Sequence, residues 1–80
     1  MARFLLHHRH EAHECSVAFA AWKGHDSPLR RQDALGTCRD GGHEIWWIVE
    51  AQTGGEALSL LPYFVAQRTT VAQVAAIAIP

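Results

Sequence analysis

The octapeptide Glu44-Ile-Trp-Trp-Ile-Val-Glu-Ala51 constrains the fold more than any other stretch of this chain. Valine, isoleucine and tryptophan favour extended backbone, and successive side chains of a strand point to opposite faces. Here both alternating sets are apolar, with Ile45, Trp47 and Val49 on one face and Trp46 and Ile48 on the other. That pattern predicts a central strand covered on both sides. Arg39-Asp40-Gly41-Gly42 just before it is a turn signal, so residues 34–39 are expected to form the preceding strand of a hairpin.

The remaining elements arrange themselves around that strand. Residues 2–10 read as a strand, with Phe4, Leu6, His8 and His10 on one face and Arg3, Leu5, His7 and Arg9 on the other. A helix is predicted from about Glu11 to Lys23, its buried stripe formed by Cys15, Ala18, Phe19 and Trp22, with Gly24 as its stop. Residues 25–33 read as a loop. A second helix is expected from Glu56 to about Leu61, where Pro62 ends or restarts it. Val71 to Ile79 reads as the last strand.

This order predicts one α+β domain over residues 1–80. It is a ferredoxin-like βαββαβ sandwich, with a four-stranded antiparallel sheet and two helices on one face. The opposite face would present tryptophan and isoleucine to water, which predicts a homodimer joined sheet to sheet. An 80-residue chain buries roughly 60–65% of its unfolded surface, so a partner or a metal would add needed stability.

The opening strand Phe4-Leu5-Leu6, the strand end Val49-Glu50-Ala51, the helix from Glu56-Ala57-Leu58 to Leu61-Pro62 and the closing strand from Val74 carry a resemblance. The chain resembles the dimeric α+β barrel superfamily, which includes antibiotic-biosynthesis monooxygenases and muconolactone isomerases. The resemblance implies a homodimer with a ligand pocket between sheet and helices or inside the barrel. That superfamily holds enzymes, heme-degrading proteins and metal binders alike, so fold alone does not choose an activity.

Composition narrows the partners. The formal charge is −1 with histidine neutral, which offers no basic stripe for nucleic acid. No apolar run reaches the length of a membrane span. Two cysteines make no disulfide scaffold, and the chain reads as cytoplasmic with reduced thiols.

The chemistry concentrates in His7-His-Arg-His-Glu-Ala-His-Glu-Cys15, which holds four of the six histidines. His8 and His10 share a strand face about 6.5–7 Å apart, and His13 at the helix start can close a site with them. Imidazoles in that arrangement suit zinc, nickel or copper, with Glu11 and Glu14 available to orient the rings. His10-Glu11-Ala12-His13 is one residue short of the zinc-protease spacing. Cys15 reads as a packing residue. Cys38 and His43 flank the turn and are expected at the far end of the sheet from His10.

A second reading uses the other face. His7, Arg9, Trp46 and Glu50 would line an aromatic small-molecule pocket in which His7 acts as an acid–base group. The contiguous His25-Asp26-Ser27 makes no convincing triad. Neither reading decides whether the protein is an enzyme.

Overall fold

A computed structural model describes residues 1–80. Its centre is β1 (Ala2–Arg9), hydrogen-bonded on both sides. The other strands are β2 (Leu35–Gly36), β3 (Glu44–Ala51) and β4 (Thr69–Val74). They form one four-stranded sheet in the order β2-β3-β1-β4, with every pairing antiparallel. Three short helices complete the α+β fold: α1 (Cys15–Ala20), α2 (Gly54–Leu58) and α3 (Tyr63–Ala66). No helix is long and apolar enough to cross a membrane.

The alternation of β1 and β3 decides which side is packed. Phe4, Leu6, Ile45, Trp47, Val49 and Ala51 meet Ala57, Leu61 and Val65 from the helical segments in one core cluster. His8 and His10 lie on the same side and are almost fully buried. The other side carries Leu5, His7, Trp46 and Ile48 without a covering layer, and Ile48 is 63% exposed.

Several elements differ from the sequence expectation, each for a local reason. The predicted helix over 11–23 is a 3₁₀ turn (Ala12–Glu14) followed by the six-residue α1. A helix this short seats only Ala18 fully, leaving Phe19 51% exposed and Cys15 and Trp22 half-buried. The strand predicted over 34–39 shrinks to Leu35–Gly36, because Cys38–Asp40 winds into a 3₁₀ turn. The helix expected over 56–61 begins at Gly54, capped by the Thr53 hydroxyl, which accepts from the Glu56 amide. β4 ends at Val74, opposite Arg3, because the chain beyond it runs past the strand it pairs with.

The turn into β3 depends on glycine. Gly41 adopts φ 83°, the left-handed region that side chains resist. A Cβ on Gly42 would collide with the Thr37 hydroxyl. Gly42→Ala should therefore destabilise the protein by ~1–3 kcal/mol, lowering the melting temperature by roughly 4 °C or more. Thermal unfolding followed by circular dichroism measures this, and an unchanged melting temperature would contradict the packing of the turn.

A candidate metal centre at the end of the central strand

Antiparallel pairing sets the end of β1 against the start of β3. The register runs from Ala2 opposite Ala51 to Arg9 opposite Glu44. The ladder continues one step further, where the His10 amide donates to the His43 carbonyl at 3.1 Å. His43 therefore stands beside His10, and the expectation that it lies at the far end of the sheet is corrected. Their rings are 5.4 Å apart between centroids.

Cys15 arrives by a tight turn. The Glu14 amide donates to the Glu11 carbonyl at 2.9 Å, and the Glu11 amide donates to the Glu14 carboxylate at 3.0 Å. That reciprocal closure folds the chain back over the strand end. Glu14 is also fixed from outside by Arg68, whose guanidinium lies 2.8 Å from the carboxylate and 3.6 Å from the Phe64 ring centroid. The Arg68 hydrogen bond, then the Glu11 amide, hold the Glu14 carboxyl below the usual range. One ring nitrogen each from His10 and His43 and the Cys15 sulfur lie within 4.8 Å of one another.

The protonation pattern follows from the hydrogen bonds. His8 Nδ1 lies 3.2 Å from the Val65 carbonyl oxygen, which can only accept, so Nδ1 carries the proton. Burial pushes the His8 pKa down, favouring the neutral ring, so His8 Nε2 is a bare acceptor. His10 Nδ1, 2.8 Å from it, must donate. Burial and the neighbouring His43 likewise lower the His10 pKa, leaving His10 Nε2 with a free lone pair. That atom and His43 Nδ1 are the two buried side-chain polar atoms without a partner. A buried polar atom without a partner is costly, and both belong to the pair of rings that meets Cys15.

The structure places the sequence candidates as follows. His8 and His10 come together, but through a mutual hydrogen bond, and His8 lies in the core rather than at a solvated strand end. His13 is exposed on the 3₁₀ turn. Cys15, read from the sequence as packing, and His43, expected at the far end of the sheet, are the residues that gather with His10. On the opposite face His7 stacks on Trp46 at 4.8 Å. His7 Nε2 and Arg9 both meet Glu44 Oε1, at 2.7 and 3.0 Å. Glu50 lies apart from them, opposite Arg3. Comparison with protein-family models, curated proteins and solved structures finds no match.

A histidine held neutral by burial stabilises the fold only while its unfolded counterpart is also neutral. With the folded pKa of His8 and His10 depressed, the unfolded chain binds more protons below about 6.5, so acid favours unfolding. Stability of the metal-free protein should be full above that pH and decline as the pH falls toward the depressed values. Urea unfolding with a chelator present, between pH 7.5 and 5, tests this. A midpoint that stays level would mean the two rings are not buried neutral.

Proposed function

We propose that this protein binds one transition-metal ion per chain through His10, Cys15 and His43, zinc or copper rather than nickel. The observation that carries this reading is the pair of buried, partnerless ring nitrogens beside a thiol. In a tetrahedral zinc shell, bonds of about 2.0–2.3 Å set the donors roughly 3.4–3.7 Å apart. The present spacing needs about 1 Å of closure by side-chain rotation. A thiolate with two imidazoles suits zinc or copper better than nickel. His8, anchored on the Val65 carbonyl, would orient His10 and raise its basicity. Three protein donors leave one coordination position for water or an exchangeable ligand, which suits sensing, transfer or catalysis better than a purely structural role.

The sheet order is compatible with a ferredoxin-like fold, and we extend the proposal to a homodimer of the dimeric α+β barrel kind. The chain exposes 5684 Å², against roughly 4,800 Å² expected for a compact monomer of its mass. The irregular tail 75–80 and the uncovered sheet face both add to that excess, and the face is where an interface would form. Leu35, Trp46 and Ile48 on the uncovered face would supply its apolar centre. The alternative pocket of His7, Arg9, Trp46 and Glu50 has less support, since His7 and Arg9 already engage Glu44.

Elemental analysis of protein purified without a histidine tag should find about one equivalent of metal. His10→Ala, Cys15→Ala and His43→Ala should each weaken binding by more than ~100-fold, beyond the range of an outer-shell change. His13→Ala should leave binding unchanged. Equal loss on removing His13, or none on removing Cys15, would refute this donor set. For the dimer, sedimentation equilibrium should give twice the 8.9 kDa chain mass, and Ile48→Glu should give monomer. A wild-type monomer at micromolar concentration would overturn the assembly.

A further inference from the structure

The helix-bearing side of the sheet is left open next to β2. A cleft of about 610 Å³ lies there, within the size range of small-molecule sites. Trp22, Ile45 and Trp47 supply apolar walls, and the two indoles lie 5.9 Å apart, tilted. Arg30, Arg31 and Arg39 line the same space from two segments, the loop before β2 and the 3₁₀ turn after it. Arg31 holds φ 67°, a left-handed conformation that non-glycine residues seldom adopt, at the point where two consecutive arginines both border the cleft.

The cleft carries an excess of positive charge. Asp33 is the single carboxylate among the lining residues, and none of the three arginines forms an ion pair. The chain as a whole is slightly negative, so this local excess of positive charge is not general basicity. Guanidinium groups present planar forks of donors that match carboxylate and phosphate oxygens, and flat apolar bodies stack against indole.

We propose that this cleft binds a small organic anion: a flat aromatic body lying against the wall formed by Trp22 and Trp47, with a carboxylate or phosphate head held by Arg30, Arg31 and Arg39. The site is separate from the metal centre. Phe19 lies between them, bordering the cleft and meeting the His10 ring edge-on at 6.4 Å.

The test is calorimetric titration with a chelator present, so that the outcome does not depend on metal. The probes are 2-naphthoate, 2-naphthyl phosphate, neutral 2-naphthalenemethanol and acetate. One of the two aromatic anions should bind about tenfold or more tightly than the neutral alcohol and acetate. The tighter of the two identifies the head group. Raising salt should weaken the anion and spare the alcohol, a measurement that needs no variant. Arg30→Gln and Arg31→Gln should each weaken the anion about tenfold. Arg3→Gln, on the opposite sheet face, should leave it unchanged. Equal binding of anion and alcohol, no binding of either anion, or cleft variants that behave like Arg3→Gln would overturn the proposal.

Discussion

The hydrogen bond between two buried imidazoles, His10 Nδ1 to His8 Nε2 at 2.8 Å, is the constraint on which the strand end depends. β1 lies between β3 and β4, and His8 and His10 on its packed face are almost fully buried. Two polar rings on that face must satisfy one another or lose stability through unmet desolvation. The Val65 carbonyl anchors one end of the relay, and the Thr69 hydroxyl donates to the same oxygen at 2.7 Å. Each ring in the series passes its lone pair to the next donor. The last one, His10 Nε2, has nothing to accept from, and this makes the end of the relay chemically available.

That arrangement puts both proposed sites on one side of the sheet. The His10–Cys15–His43 group lies past the end of β1, and the arginine-lined cleft lies beside β2. The opposite side is built from pairs already in use, His7 stacked on Trp46 and Glu44 shared by His7 and Arg9. Arg9 and then His7 hold the Glu44 carboxyl below its ordinary range. In the proposed homodimer this side would supply the surface for association.

Much of the sheet was legible in the residues. The alternation in 2–10 and 44–51 located β1 and β3 almost to the residue, because strand periodicity survives in a single sequence wherever one face is packed. The helices were less legible. The Cys15, Phe19 and Trp22 spacing looked like a buried stripe, but α1 is too short to press it against the sheet. The metal candidates were half legible. His10 stood out in the histidine run, whereas His43 becomes its neighbour only once β1 and β3 are paired antiparallel and the register is extended by one step. That deduction was open to the sequence, since adjacent strand ends follow from the pairing direction. Cys15 was not, because the turn that brings it back depends on Glu14 meeting the Glu11 amide.

The relay also ties the end of β1 to the far part of the chain. Its donor set comes from residues 10, 15 and 43, yet the carbonyl and hydroxyl that anchor His8 belong to residues 65 and 69. The β1–β3 hairpin-like pair could bring the three donors near one another while β4 was still free, but nothing would then hold the His8 ring. β4 pairs with β1 across more than fifty positions, so the groups that hold His8 come from a distant part of the chain. Order at the His10–Cys15–His43 group therefore depends on the complete sheet. A chain without the β4 pairing would carry every donor and still lack the anchor of the His8 ring.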